Sequence, residues 1–457
     1  MEKEWRNYQG RIKKRKHITK KTILIASFII GITFLVTSSP FLGSTTLSRK
    51  INYTIHEDNL NLKFTEDFVR IEGGIDPLFN EVIEDRFVSK VGKNVQVVYT
   101  LDPLLQEKMI SLFAKYKVPY GAFVAISTKT GKVLAMAGYS EKDGVDQNLA
   151  LRATYPAASI FKLVTAAAAL EKGKVEPDTV INFRGGLYAL SPGNWTDNPK
   201  RDKNKITLAD AMGKSCNVAF AKVALRWLDA GDLLRSAESL GFNNTINFEF
   251  PVQQSRIHVE NNEKSIAKTA AGFGDVTLSP LHGAMIASAI ANDGRMVEPR
   301  IVEKIFIDGR EAYNFGKKEG TAGISPETAE KLRYMMTKTV EKGTARHSFF
   351  TQRGKAYLKD IVVGGKTGSL EGDDPQGDYS WFVGMAPLDN PEIAIAALVI
   401  NRPVWKIKAP FVAREGFLTY FNNKDINNTK EKLKVAKKGN FLPTYHNQVL
   451  DREIRQL

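Results

Sequence analysis

Three short clusters of side chains in this 457-residue chain have the types and spacing of nucleophilic chemistry. They are Ser159-Ile160-Phe161-Lys162, Ser215-Cys216-Asn217 and Lys366-Thr367-Gly368-Ser369. A serine hydroxyl is a poor nucleophile at neutral pH and needs a base within hydrogen-bond reach. On a helix a residue three positions on lies one turn along the same face, so Lys162 is spaced to serve Ser159. A lysine ordinarily titrates at about 10.4 and must be made neutral before it can take a proton. Desolvation and a neighbouring positive charge both do this, and Lys366 is a candidate for the charge. The expectation is a neutral Lys162 acting as base and a Lys366 that stays cationic.

Taken singly, each cluster has a bland reading. A serine at a helix start is usually an N-cap, and a Ser or Asn between helices is usually a local cap. Gly364-Gly365-Lys366-Thr367 has half of a phosphate-loop pattern, but the position of its first glycine holds Asp360. The chain also contains decoys, Ser265-Ile266-Ala267-Lys268 and Lys129-Thr130-Gly131. Order removes them: Lys129 precedes any candidate nucleophile, and no Ser-x-Asn follows Ser265. Only Ser159, Ser215 and Lys366 head a complete ordered set.

The elements that must carry these residues are legible in part. Asp102-Pro103 has the form of a helix start, with Leu104, Leu105, Met109, Ile110, Leu112 and Phe113 as its apolar face. Residues 121–138 hold two β-rich runs around Lys129-Thr130-Gly131, the pattern of a hairpin. The Ala- and Leu-rich run 157–171 favours helix, with Ser159 at its opening. A mostly helical stretch follows to about residue 350. Strand-like runs at 361–370, 380–387 and 393–400 are joined by short turn-rich segments, which implies antiparallel pairing. Strands at both ends with helices between them indicate an α+β fold built on an antiparallel sheet.

Composition narrows the class. Apolar residues make up 43% and charged residues 25%, normal for a globular chain with a sizeable core. The single cysteine, Cys216, rules out an intramolecular disulfide, and between Ser215 and Asn217 it reads as a small packing residue. The six histidines are scattered, with no pair at metal-ligand spacing, so neither a metal nor another cofactor is expected. The net charge of +15 is uneven: residues 1–21 carry nine Lys or Arg against two Glu. That cluster abuts an uncharged run, so it reads as a membrane topology signal rather than a nucleic-acid surface. Eighteen residues of helix from Thr22 to Ser39 span about 27 Å, close to a bilayer core. With no Ala-x-Ala site after it, the run 22–40 is expected to be an uncleaved single-pass anchor, N-terminus inside. The organisation expected is therefore a cytoplasmic basic tail (1–21), the anchor (22–40), a stalk or small pedestal (41–95), a catalytic domain (96–422) and a basic C-terminal tail (423–457).

The three motifs in this order resemble the penicillin-binding and serine β-lactamase superfamily. The likeness to the penicillin-binding transpeptidases covers roughly residues 95–422. It extends to ITLADAMGKSCNVAFAKVA (206–224), GFGDVTLSPLHGAMIASAIANDG (272–294), EKGTAR (341–346) and YSWFVGMAP (379–387). The resemblance implies an antiparallel sheet flanked by helices with an all-helical subdomain. It implies peptidoglycan D,D-transpeptidation through an acyl-enzyme on Ser159, with stem peptides as substrate and β-lactams as acylating mimics. Ser215 would relay a proton to the leaving amine, and Asn217 would hold Lys162 and the substrate peptide group. Lys366, Thr367 and Ser369 would hold the terminal carboxylate, with Gly368 in the same substrate-binding strand. The backbone N–H groups of Ser159 and Ser369 would form the oxyanion hole. Other wall-synthesis proteins are implied as partners, and the domain would face outward from the cytoplasmic membrane. A carboxypeptidase or endopeptidase, a β-lactamase and a non-catalytic penicillin-binding scaffold are the alternatives. Against a β-lactamase stand the absence of a Glu-x-x-Leu-Asn pattern between Asn217 and Lys366, the missing Tyr-Gly-Asn pattern and the 149 positions separating Asn217 from Lys366.

Overall fold

The computed structural model describes residues 81–438, apart from 84, 92, 93, 147, 315, 317–319 and 403. The chain divides into two units, 1–59 and 60–457, and everything described belongs to the second. The expected basic tail, the anchor at 22–40, most of the stalk and the last residues of the C-terminal tail lie outside the described residues. Among the described residues no helix is long and apolar enough to cross a membrane.

The chain begins with β1 (Glu81–Ile83), β2 (Arg86–Val91), β3 (Val95–Tyr99) and helix α1 (Pro103–Tyr116). The hairpin expected around Lys129-Thr130-Gly131 is β4 (Tyr120–Ser127) and β5 (Val133–Ser140), followed by β6 (Gly144–Val145). Its turn places Gly131 at φ +73° with the Glu298 carbonyl against it, a contact that leaves no room for a Cβ. The late strands are β9 (Gly364–Asp373), β10 (Gln376–Ala386) and β11 (Ile393–Asn401). Together they form one antiparallel sheet in the order β9-β10-β11-β4-β5-β6. Strands from both ends of the domain thus meet at the β11–β4 pair.

Helix α6 (Pro280–Ala291) covers one face of this sheet, and α1 with α8 (Ala409–Lys438) covers the other. Side chains alternate between the two layers. Trp381, Val383, Ala396 and Leu398 face one core, and Phe382, Ile395, Ala397 and Val399 face the other. Burial on both faces explains why 393–400 (IAIAALVI) is apolar without alternation, although the pairing is antiparallel. Within α1, Asp102 caps the Leu105 N–H as expected, but Leu104 points out at 60% exposure while Leu105, Met109 and Phe113 are buried.

A second, five-stranded sheet was not legible in the sequence. It runs β1-β2-β3-β7-β8, with β7 (Val302–Ile307) and β8 (Arg310–Asn314) supplied from two hundred residues downstream. Residues 81–95, read as the end of a stalk, therefore pair into this sheet, and the boundary drawn at 95/96 falls at the start of β3. The five residues of β3 are too short a run to declare a partner so distant in sequence. Likewise α8 crosses the boundary drawn at 422/423.

A mostly helical layer packs beside the six-stranded sheet. It includes α2 (Lys162–Glu171), α3 (Leu208–Gly213), α4 (Asn217–Trp227), α5 (Glu263–Ala270) and, beside α6, α7 (Pro326–Glu341). Every residue of α2 from Lys162 to Leu170 is buried, its alanines letting neighbouring helices approach closely.

Glu249 ties this layer to the second sheet. Its carboxylate accepts from the Ile301 and Val302 N–H groups at 3.0–3.2 Å. Burial raises its pKa from 4.5 to about 7, against the opposing pull of those N–H donors and of Arg300. A carboxyl whose folded pKa lies above its unfolded value holds its proton better when folded, so stability falls as pH rises from about 4.5 through about 7. Thermal melts across that range should show this slope in the wild type, and Glu249→Gln should flatten it.

Candidate active site

The three motifs converge at one edge of the six-stranded sheet. Ser159 sits in a 3-10 turn (Ala158–Phe161) that leads into α2 and is half-buried. The expected helix therefore begins one turn later than Ser159, and Ser159 is not its cap, since neither the turn nor α2 has a side-chain cap. Ala158, just before it, holds φ +50°, a left-handed conformation that costs a residue with a Cβ on the order of 1–2 kcal/mol. Packing keeps it there: Gly272 at φ +86° lies so close that a Cβ would meet the Ala158 carbonyl oxygen at 2.3 Å.

Lys162 lies at the centre. Its side chain is fully buried, and Nζ lies 2.7 Å from Ser159 Oγ, 2.8 Å from Asn217 Oδ1 and 2.6 Å from the Ala271 carbonyl. The Asn217 amide is oriented by its Nδ2, which donates to the Tyr188 carbonyl at 3.0 Å, so Oδ1 faces the lysine. Two of the three neighbours, Asn217 Oδ1 and Ala271 O, can only accept. A neutral amine has two N–H groups and one lone pair. It satisfies both acceptors and turns the lone pair to the hydroxyl of Ser159. Burial lowers the Lys162 pKa from 10.5 to about 7, which puts that neutral state within reach.

Ser215 and Lys366 form the second pair. Ser215 joins α3 to α4 at φ +55°, and its Oγ accepts from Lys366 Nζ at 2.9 Å. Lys366 also donates to the Thr367 carbonyl at 2.7 Å and is fully buried in β9. Its pKa is pushed well below 10.5 by burial and then by the charge of Lys162. The expectation had the repulsion run the other way, from a cationic Lys366 onto Lys162; the Lys162 lowering comes from desolvation alone. Repulsion between two cations is mutual, and burial penalises both, so at most one charge is favoured on the pair.

β9 is the edge strand of its sheet, so one side is open for an extended chain to pair with it. Thr367 is nearly buried and Ser369 exposed on this edge. Gly368 lies where a Cβ would press on Ala158 and Ile160 at 3.3 Å, so the strand runs directly along the nucleophile turn.

Three participants escaped the sequence reading. The Ala271 carbonyl is backbone and carries no sequence signal. Thr344 Oγ1 lies 2.5 Å from Thr367 Oγ1, and its N–H donates to the Gly213 carbonyl at 3.0 Å, tying the strand to the helix before Ser215. Its signal was the EKGTAR segment, noted without a role. Leu187 accepts the Asn217 N–H at 2.8 Å, so the 187–188 backbone holds both ends of that residue.

The decoys are structural. Ser265 lies in the first turn of α5, with its Oγ accepting from the Glu260 N–H, and Lys268 is exposed. Lys129 is at the hairpin turn and donates to Asn390. Cys216 is buried and free, and burial pushes its thiol up rather than activating it. No cluster of metal-ligating side chains occurs among the described residues.

Comparison with known proteins agrees with this geometry. The family model for the penicillin binding protein transpeptidase domain matches residues 121–414. Peptidoglycan D,D-transpeptidase PbpA of Mycobacterium tuberculosis is 27% identical over 388 residues, covering 76% of each chain. Among solved structures, the D,D-transpeptidase domain of a peptidoglycan glycosyltransferase from Eggerthella lenta superposes with a TM-score of 0.60 at 26% identity, covering 72% of this chain and 84% of that one. A ceftriaxone acyl-enzyme complex of penicillin-binding protein A from M. tuberculosis superposes with a TM-score of 0.57 at 25% identity, covering 71% and 79%. The family match spans well over half of the chain and contains all three converging motifs, and the chain belongs to the penicillin-binding protein transpeptidase family.

Proposed function

We propose that this protein is a peptidoglycan D,D-transpeptidase that works through an acyl-enzyme on Ser159. The observation that carries the reading is the desolvated Lys162 amine, held by two acceptors with Ser159 Oγ at its remaining position. The likeness to PbpA, a peptidoglycan D,D-transpeptidase, supports it.

A stem peptide ending in D-Ala-D-Ala adds to the open edge of β9 by main-chain pairing. Its terminal carboxylate is held by Thr367, Ser369 and Lys366. The carboxylate restores charge to Lys366 and so keeps Lys162 neutral. Ser159 Oγ attacks the penultimate carbonyl as its proton passes to Lys162 Nζ. The N–H groups of Ser159 and Ser369 receive the oxyanion, a contribution of about 3 kcal/mol per donor in serine enzymes. Ser215, bridged to Lys366, passes a proton to the departing amine and is resupplied with the one Lys162 took up, and the C–N bond breaks to release D-Ala. An amine of a neighbouring stem peptide then attacks the Ser159 ester, forms the cross-link and returns the proton to the serine. A β-lactam enters the same path, but its leaving amine stays tethered. The polar, basic N-terminal segment and the apolar run 22–40 fit a single-pass anchor that sets this domain on the outer side of the cytoplasmic membrane, among other wall-synthesis proteins.

Incubated with a fluorescent penicillin, the full chain should form a stable covalent adduct, and Ser159→Ala, melting at the wild-type temperature, should form none. A label that appears and clears within seconds would instead indicate a β-lactamase. The acylation constant should rise about tenfold per pH unit up to about 7 and level off above it, because the reactive form of Lys162 is the neutral one. Lys162→Arg, which cannot become neutral, should lose about 10²–10⁴-fold above pH 7 and show no rise with pH. A flat profile between pH 5 and 8 would remove Lys162 as the base.

A further inference from the structure

The two walls of the site come from different layers. Ser159 stands on the helical side, and Ser369 on the sheet edge. Within the motifs the two walls meet where Gly368 packs against Ala158 and Ile160. Outside the motifs, the residue that spans the two walls is Trp381. In the β9–β10 ladder Trp381 is the direct partner of Gly368, the neighbour of Ser369. Its indole Nε1–H donates to the Pro156 carbonyl at 3.0 Å, three residues before Ser159. The ring is fully buried and meets Tyr155 edge-on at 6.3 Å, and Tyr155 in turn packs on Tyr379 at 6.0 Å. A more exposed strut repeats the link at the hairpin tip. Arg152 pairs with Asp374 at 2.6 Å, and Thr154 Oγ1 donates to the Asp374 carbonyl at 3.2 Å.

We infer that Trp381 is a positioning residue for acylation: its indole locks the segment before Ser159 onto the β9–β10 hairpin and so sets the distance between the Ser159 and Ser369 N–H groups. The inference rests on the acyl-enzyme reading above. Neither ring nor N–H touches a reacting atom. The effect is on geometry, and misplacement of reacting groups by about 1 Å is enough to cost about 10²-fold.

The test separates the acylation step from binding. With penicillin and the full chain, Trp381→Phe keeps the buried ring but removes the donor. Its first-order acylation constant per folded, active site should fall about tenfold, while the dissociation constant of the encounter complex stays within about twofold. Tyr155→Phe is the control for general loosening. It deletes the buried hydrogen bond from Tyr155 to the Leu149 carbonyl in the same aromatic layer, and should lower the melting temperature without changing the acylation constant. Arg152→Gln, at the exposed strut, should fold normally and fall about two- to fivefold. Wild-type acylation in folded Trp381→Phe, or in Arg152→Gln where the former does not fold, overturns the inference, as does an equal loss in Tyr155→Phe. If the wild type forms no acyl-enzyme, the functional reading itself fails and the inference falls with it.

Discussion

The architecture depends on keeping one lysine amine out of water. Lys162 is buried, and among the described residues no carboxylate pairs with it to stabilise its charge. An ammonium left in such a place without a counter-ion is costly, and the group responds by giving up its proton. The surrounding structure converts that cost into reactivity. The layer of α2, α4 and α5 removes the solvent, and the Asn217 and Ala271 oxygens take up two N–H groups. The lone pair is left with Ser159 as its partner. A carboxylate at this point would hold the lysine as a cation and deny it the role of base. Lys366 is equally constrained, because it shares the same dry region and the pair favours at most one charge.

The rest of the fold serves to bring the groups around that amine from three distant parts of the chain. The six-stranded sheet has both faces covered and so is rigid, yet it leaves β9 as an open edge at the site. A substrate that pairs with an edge strand acquires its alignment from main-chain hydrogen bonds, which is why the recognition strand needs few distinctive side chains. Two left-handed backbone positions lie on the same spot. Ala158 and Ser215, which flank the nucleophile and head the second motif, both hold positive φ. Such conformations persist only where packing over-determines them, as Gly272 does for Ala158.

Salt bridges play a different part from the catalytic lysines. Lys222, also fully buried, donates to Asp202 and Asp197, and Arg184 and Arg226 complete the network. Those ion pairs pin the 184–202 segment to α4. Because this segment carries the Leu187 and Tyr188 carbonyls that hold Asn217, the network reaches the site through the backbone. Lys162 and Lys222 thus differ in whether acidic partners come with them.

Much of this was written in the order of short motifs. Ser159, Lys162, Ser215, Asn217 and Lys366 are a local code, because a nucleophile, its base and their relay each need a specific side chain. The apolar runs of β9 to β11 and the β4–β5 hairpin were legible for a related reason: period and turn chemistry are properties of a few adjacent residues. What remained hidden was non-local or carried by the backbone. The pairing of 81–99 with 302–314, the Ala271 carbonyl, the Thr344 contact to Thr367 and the bridge from Trp381 to Pro156 each depend on which segments the chain folds together. The burial that lowers both lysines was hidden as well, since desolvation is a property of the packed surroundings. The sequence by itself determined which groups take part, because chemistry is specific to side-chain type. Only the tertiary structure decided their spacing and protonation, because distance and dielectric are set by everything packed around them.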